Sequence, residues 1–417
     1  MKHLPILLAL FAFVVCQDRA QIERRETFEI VWSRVNDKFY DLTFNGVDWN
    51  KVKTDYAPKV EQVKDDAEFY ALMTQMLGEL NASHFGIIGP GAIDIDEVMS
   101  RKGDGETGLV VRDIGGKAVV AQVADGSAAE KAGIKPGFEI VKIDSSEVAR
   151  LRERLYTRKE REPILKFLFA MAIESRMSGK TGDKIELECI DLSGVSKTIE
   201  IELQRPRGEL VRFAELPPIR AIHESKKLPN GMGYVRFNIF LMPLLEPVKK
   251  AIAEHSAASG LIIDLRGNMG GLGAMAMPIA GMLFKERKEL GAMKMRTGEI
   301  RFLAYPQEQY YGGPVAILVD ETSASTSEIL AAGLQELSRA IVVGNPSAGA
   351  VLPSVVERLP NGARLQYAFA DFRTPKGVLL EGKGVKPDVV VNLTKESLSS
   401  GKDPVLEAAI EALSKKQ

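Results

Sequence analysis

The chain has 417 residues, more than one hydrophobic core usually serves, so two or three domains are expected. Its composition, with 45% hydrophobic and 27% charged residues, is that of an ordinary globular protein. The 55 basic and 56 acidic side chains nearly cancel, so charge gives no argument for a nucleic-acid partner or for an anionic membrane surface.

The first twenty residues, 1–20, predict a signal peptide. A short basic start at 1–3 is followed by a continuous apolar run at 4–15, too short to span a bilayer. This pattern indicates an exported protein, either periplasmic or secreted. Cys16 ends the run as a lipid-modified cysteine would, but valines precede it where a small residue is usual. Free secretion and a lipid anchor at Cys16 therefore both stay open.

Residues 21–88 predict an N-terminal helical domain, because apolar side chains recur at helical spacing. They are Phe28, Val31, Trp32, Val35 and Phe39, and then Phe69, Leu72, Met73, Met76 and Leu77. A Gly-rich polar patch at 89–107 then predicts a linker.

A β-rich module with a helical insertion is predicted next, and it ends at a proline-containing linker at 205–218. The predicted strands are 109–112, 117–123, 139–143, 184–190 and 197–203, and the predicted helices are 127–133, 150–162 and 165–177. Cys189 lies in one of these strands and is expected to be a small buried residue. With the histidines scattered along the chain, the sequence predicts neither a metal site nor a cysteine nucleophile, and no cofactor.

From Met232 onward strands and helices alternate, which predicts a mixed, largely parallel sheet covered by helices. The predicted strands are 233–237, 260–265, 314–319 and 340–343, and the predicted helices are 243–255, 274–284 and 326–337. The turn sequence Leu359-Pro-Asn-Gly362 between two alternating runs predicts an antiparallel hairpin.

The stretch at 320–336 carries the strongest chemical signal. An apolar strand ends at Val319, small hydroxyl residues follow, and an apolar-periodic helix begins. A serine at such a junction lies beside free backbone N–H groups that can stabilise an oxyanion. The alternative is a structural capping box, because Ser325 and Glu328 have its spacing.

The runs at 107–111 and 127–144 resemble the PDZ family over roughly residues 103–205. The resemblance implies that a polypeptide's terminal carboxylate is held by backbone N–H groups, and that the strand after them pairs with an extended peptide. These groups belong to Gly108, Leu109 and Val110, and the pairing edge begins at Val111 and Arg112. A module that only packs against its neighbours is the alternative.

Three motifs resemble those of the C-terminal-processing (tail-specific) peptidases, and they come in that family's order. In chain order they are Asp-Leu-Arg-Gly-Asn-Met-Gly-Gly at 264–271, Ser-Ala-Ser-Thr-Ser-Glu-Ile at 323–329 and Gly-Val-Lys-Pro-Asp at 384–388. The resemblance implies a peptidase core at 210–415 with a mixed-sheet α/β fold of the ClpP/crotonase type. It also implies Ser325 as nucleophile, with an oxyanion hole from the N–H groups of Thr326 and of the Gly270/Gly271 turn.

One departure from that family concerns the base. The processing peptidases place a lysine after a Gly-x-x-x-x-Gly run, whereas here Gly349 is followed by Ala350. Alanine accepts no proton, so the serine–lysine dyad is absent in that place. Lys376 and Lys383 are substitutes in principle, but both lie among glycine and proline as solvated loop lysines do.

The sequence is also similar to the tricorn-protease core, which uses a histidine base and a glutamate. Ser83 and His84 stand where its serine and histidine do, and Glu381 stands at its glutamate position. The resemblance implies His84 as general base, Glu381 as its orienting carboxylate, and Ser83 as a residue that orients one of them, with helix capping as its structural alternative. Asp264 and Arg266 are interpreted as a structural pair.

The sequence therefore predicts a serine endopeptidase or carboxy-terminal processing enzyme that acts on polypeptides through a free C-terminus. One alternative is a catalytically inactive relative that binds peptides or small apolar ligands as a scaffold, for which Ala350 is the best support. Another is a serine–lysine enzyme with a relocated base. The oligomeric state stays open.

Overall fold

The computed structural model describes residues 4–89, 103–158, 160–206, 208–211 and 219–415, with side chains from residue 19 onward. The candidate lipid site at Cys16 and most of the predicted signal peptide lie outside the described side chains. In the part of the chain that is described, no helix is long and apolar enough to cross a membrane.

The α-helices are given in chain order. They are α1 (Leu4–Lys38), α2 (Trp49–Val60), α3 (Asp66–Gly78), α4 (Ala128–Lys131), α5 (Val148–Tyr156), α6 (Glu162–Arg176), α7 (Met242–Glu254), α8 (Ala276–Gly281), α9 (Thr326–Glu336), α10 (Lys395–Ser399) and α11 (Pro404–Ser414). Short 3₁₀ turns lie at Phe44–Gly46 and Gly273–Met275.

The strands follow the same order. They are β1 (Gly86–Ile88), β2 (Leu109–Ile114), β3 (Lys117–Val123), β4 (Glu139–Ile143), β5 (Ser146–Glu147), β6 (Lys184–Ile190), β7 (Ser196–Glu202), β8 (Glu209–Val211), β9 (Ile219–Ala221), β10 (His223–Lys227), β11 (Gly233–Phe237), β12 (Leu261–Asp264), β13 (Lys288–Met295), β14 (Gly298–Ala304), β15 (Val315–Val319), β16 (Ala340–Gly344), β17 (Ser354–Arg358), β18 (Arg364–Ala368), β19 (Ala370–Arg373) and β20 (Val389–Val390).

The chain forms two compact units, and the first combines the described residues before 90 with Met295–Gly298 and Leu352–Asp371. Helices α1, α2 and α3 share one apolar core with a sheet of order β1-β18-β17. The predicted hairpin is confirmed, since β17 and β18 pair antiparallel. Its inner side chains, such as Leu365, lie in the same core as the helix residue Phe39. The sequence did not predict that this late hairpin completes the N-terminal helical unit.

The remaining described residues form the second unit, which begins with the β-rich module. An antiparallel sheet of order β2-β3-β4-β6-β7 packs its apolar face against α5 and α6. Cys189 is buried in this core with a free thiol, which confirms the prediction of a small buried residue, and burial raises its pKa to about 11. The predicted linker at 205–218 is wrong in part, because β8 lies within it and pairs antiparallel with β9.

The rest of the second unit is built on a six-stranded sheet of order β10-β11-β12-β15-β16-β20. In this sheet β11, β12, β15, β16 and β20 are parallel to one another and β10 is an antiparallel edge, which confirms the predicted mixed sheet. One face packs against α7, α8 and α9, and the other packs against α11. The sequence did not predict the hairpin of β13 and β14, which forms a smaller sheet with β19.

Parallel pairing explains where the motifs meet. Strands β12 and β15 are neighbours with Asp264 opposite Leu318, so both end at the same edge of the sheet. The turn after β12 and the turn after β15 therefore lie side by side, and the second of them leads into α9.

Candidate active site

Ser325 lies between β15 and α9 in a backbone conformation that few non-glycine residues adopt, with φ 55° and ψ −116°. Two acceptors hold its N–H group, the carbonyl oxygen of Ala350 and the Oε2 atom of Glu328, each at 2.9 Å. The side chain is half-buried at the start of a helix whose first turns are buried. Strain of this kind, held by specific contacts, is typical of a functional position.

The glycine turn after β12 touches the serine loop. At Gly270 the φ angle is 93°, and a Cβ atom there would lie 2.7 Å from the Cβ atom of Ser325 and 2.8 Å from the Thr326 nitrogen. Only glycine permits this approach. The Gly270 N–H already donates to Asn268 Oδ1 at 2.9 Å. In contrast, the N–H groups of Gly271 and Thr326 donate to no other described residue.

Glu328 is fully buried one turn into α9 and joins Ser325 to the turn that ends at Ala350. Its Oε2 atom accepts from the N–H groups of Ser325 (2.9 Å) and Ala350 (3.1 Å). Its Oε1 atom accepts from the Ser347 hydroxyl (2.5 Å) and the Gly349 N–H (2.8 Å). The capping-box reading of the sequence is thus confirmed for the Glu328 carboxylate, but the spacing did not reveal its contacts with the 347–350 turn.

The buried Glu328 carboxyl should make the free energy of unfolding depend on pH. Burial raises the pKa of Glu328 to about 7, although the four hydrogen bonds oppose the shift. Because this folded-state pKa exceeds the value in an unfolded chain, the group favours the folded state below about pH 4.5 and this stabilisation, about 3 kcal/mol, is lost as the pH rises through 7.

We expect the free energy of unfolding of the Glu328→Gln variant, measured with urea at pH 5 and pH 8, to lack this pH-dependent contribution. The variant is destabilised at both pH values, since an amide N–H₂ group then faces N–H donors, but the loss is larger at pH 5 than at pH 8. An equal loss at the two pH values would contradict the raised pKa.

Ala350 stands where the resemblance to the processing peptidases implies a lysine, and its backbone binds the serine loop as described. Lys376 and Lys383, the two substitutes considered from the sequence, are both exposed. The Lys376 N–H donates to Glu336 and the Lys383 N–H to the Leu380 carbonyl, so each lysine belongs to a loop turn. Neither ammonium group has a hydrogen bond to Ser325 in the described residues.

Glu381 lies next to the same turn in the second unit. Its Oε2 atom accepts from the Val351 N–H at 2.8 Å, and the N–H of Gly382 donates to the Gly349 carbonyl at 3.0 Å. The carboxylate is half-buried rather than solvent-exposed, although glycines surround it in the sequence. The loop of Glu381 and the turn that contacts Ser325 are therefore joined through their backbones.

Ser83 and His84 lie in the first unit, between α3 and β1. The hydroxyl of Ser83 lies 2.7 Å from Nδ1 of His84. His84 adopts a φ angle of 61°, unusual for a non-glycine residue, and burial lowers its pKa to about 4. The imidazole is therefore neutral at pH 7, which is the form that accepts a proton.

Arg112 joins the β-rich module to the loop before Ser325, a connection that sequence reasoning missed. Its guanidinium is 4% exposed and donates to Asp320 (2.7 Å) and to the Thr322 hydroxyl (3.0 Å). Burial acts to raise the pKa of Asp320, but the Arg112 charge and the hydrogen bonds from Thr322 and Arg112 together hold that pKa below its usual range. Thr322 in turn accepts from the Gly267 N–H at 3.0 Å, in the turn after β12.

Asp264 and Arg266 form the structural pair that the sequence predicted. Nη2 of Arg266 lies 2.6 Å from Oδ2 of Asp264, and the same guanidinium binds Asp403 at the start of α11. The described residues contain no cluster of three side chains that could hold a metal ion.

Two domain models match the chain. Residues 231–391 match peptidase family S41, and residues 21–78 match the tricorn protease C1 domain. The first range contains Ser325, Glu328, Ala350 and Glu381, and the second ends shortly before Ser83.

Relatives with recorded functions cover most of the chain. It is 26% identical to the carboxyl-terminal-processing protease of Synechocystis sp. over 92% of this chain and 85% of that protein. It is 25% identical to the carboxy-terminal processing protease CtpA of Bacillus subtilis over 83% of this chain and 68% of that protein. The fold resembles the solved photosystem II D1 C-terminal processing protease, with a TM-score of 0.60 and 24% identity over 92% of this chain and 98% of that one.

Proposed function

We propose that this chain, a serine-type hydrolase whose residues 231–391 match peptidase family S41, cleaves polypeptides near their carboxyl ends through an acyl-enzyme on Ser325. The observation that carries the assignment is the strained backbone of Ser325 beside two uncommitted N–H groups. In this proposal the nucleophile lies in the serine loop, and the oxyanion donors come from that loop and from the glycine turn that touches it.

In the proposed mechanism the oxyanion donors are the N–H groups of Gly271 and Thr326. Gly270 keeps a steric role, because its own N–H is bound to Asn268 and its missing side chain lets the turn approach Ser325. Donors that are fixed before the reaction stabilise the tetrahedral intermediate without reorganisation.

His84 is proposed as the general base. In this assignment its Nδ1–H donates to the Ser83 hydroxyl, so that Nε2 carries the free electron pair and takes the proton of Ser325. Its lowered pKa keeps the ring neutral well below pH 7. Glu381 is the proposed carboxylate that orients this system and stabilises the imidazolium, with Ser83 as the intermediate group.

The β-rich module is proposed to act as a PDZ-like domain that captures the substrate. Strand β2 is the edge of its sheet, and the N–H groups of Gly108, Leu109 and Val110 would hold the terminal carboxylate. The Leu109 N–H donates to the Thr107 hydroxyl at 3.2 Å, a long bond that a carboxylate would replace.

Capture through a carboxylate predicts that amidation of the substrate's C-terminus weakens binding. We expect KM to rise about tenfold for an amidated peptide with kcat nearly unchanged, since the charged hydrogen-bond acceptor is lost at the capture site and not at the cleaved bond. Matched quenched fluorescent peptides with free and amidated ends measure this. Equal KM values for the two peptides would exclude carboxylate capture.

The proposed function itself is tested with a fluorophosphonate probe, which reacts covalently with activated serines. The wild-type protein should acquire one adduct per chain, and peptide mapping by mass spectrometry should locate it on Ser325. A folded protein that takes no adduct would contradict the assignment of Ser325.

A further inference from the structure

Arg161 lies within the helical insertion of the β-rich module, between α5 and α6 and immediately before α6. Its backbone is extended, and its carbonyl accepts the Leu165 N–H at 3.0 Å, which fixes the residue at the start of the helix. The side chain projects out of the module and is exposed overall. Its position is therefore set by α6 while its guanidinium is free to reach another part of the second unit.

The guanidinium binds two backbone carbonyls at the active-site loops. Nη2 donates to the Gly349 carbonyl at 3.1 Å, and Nη1 donates to the Gly382 carbonyl. Gly349 directly precedes Ala350, whose carbonyl accepts the N–H of Ser325, and Gly382 directly follows Glu381. One side chain thus bridges the turn that holds the nucleophile and the loop that carries the proposed orienting carboxylate.

The local shape fits an arginine at this place. Gly349 has a φ angle of 69°, and a Cβ atom there would lie 3.0 Å from Nη1 of Arg161, so the glycine leaves room for the guanidinium. A planar guanidinium presents several N–H donors in a fixed fork, whereas a lysine ammonium is a point charge on a flexible stem. The Gly349 and Gly382 carbonyls lie on different loops, and the spread N–H donors of a guanidinium can bind both at once better than a lysine ammonium can.

We propose that Arg161 is a positioning residue of the active site. By holding the Gly349 and Gly382 carbonyls together, it fixes the position of Glu381 relative to the Ser325 loop. Because Arg161 belongs to the β-rich module, this relative position also depends on how that module packs against the rest of the second unit. The inference rests on the proposed roles of Ser325 and Glu381. A purely structural surface arginine would contribute to stability without a selective effect on the chemical step.

The test compares Arg161→Ala and Arg161→Lys with a matched control, Arg150→Ala. Arg150 lies in the same insertion and makes one exposed ion pair with Glu147. For Arg161→Ala we expect kcat to fall by about 10- to 100-fold with KM changed by less than about twofold, because a misplaced catalytic group costs rate rather than substrate capture. The labelling rate of the fluorophosphonate probe should fall in parallel. Arg161→Lys should recover part of kcat, and Arg150→Ala should behave as wild type.

Chemical rescue gives a second readout that a structural role would not move. Millimolar guanidinium chloride should raise kcat of Arg161→Ala and leave wild type unchanged. The proposal is overturned if Arg161→Ala keeps wild-type kcat and labelling, or if its activity loss matches its loss of folded protein and neither lysine nor guanidinium restores it. A wild-type protein that takes no probe would instead overturn the assignment of Ser325, and the role of Arg161 with it.

Discussion

Replacing Ser325, the proposed nucleophile, with alanine is expected to lower kcat by at least about 10⁴-fold and to abolish probe labelling, because a methyl group cannot form the acyl-enzyme. The residual rate would come from the proposed oxyanion donors, the N–H groups of Gly271 and Thr326, which the substitution leaves in place. A quenched fluorescent peptide measures turnover, and circular dichroism shows whether the variant is folded.

Two neighbouring serines provide matched controls. Ser323 and Ser327 lie in the same loop and helix start, but their hydroxyls donate to the carbonyls of Leu265 and Asn268 and are buried. Ser323→Ala and Ser327→Ala should lose about 1 kcal/mol of stability each and still react with the probe. Labelling that survives in Ser325→Ala and disappears in one of the controls would move the nucleophile to that serine.

The second large effect is expected for His84→Gln, which should lower kcat by about 10³-fold or more. Glutamine keeps a polar side chain of similar reach but cannot take the Ser325 proton at neutral pH. Groups that act as one unit are strongly non-additive, so the double variant Ser325→Ala, His84→Gln should be no slower than Ser325→Ala alone.

Lysine variants separate this base from a relocated one. Lys376→Met and Lys383→Met should retain wild-type turnover, since both side chains are exposed on loop turns. Activity that survives His84→Gln but is lost on changing one of these lysines would establish a serine–lysine enzyme instead. Initial rates for the wild type, His84→Gln, Lys376→Met and Lys383→Met, measured at one pH with one peptide, decide between the two bases.

The local elements of this protein follow directly from its sequence. Alternating apolar residues and turn chemistry predict the strands at 233–237 and 340–343 and the hairpin around Leu359–Gly362, because side-chain direction and turn geometry depend on near neighbours. The spacing of Ser325 and Glu328 likewise predicts a contact between them, and the carboxylate does accept the Ser325 N–H. Predictions of this kind need only a few consecutive residues.

The contacts that build the site come from tertiary structure. No local pattern shows that Glu328 also binds the turn at 347–350, that Arg112 is buried against Asp320, or that Arg161 spans two loops. These partners lie between 19 and 221 residues apart in sequence. Parallel strand order and the packing of the β-rich module bring them together. Periodicity and turn chemistry therefore determined the local elements, and the motif resemblances named the candidate residues, whereas sheet topology and the packing of the β-rich module decided which of these residues meet.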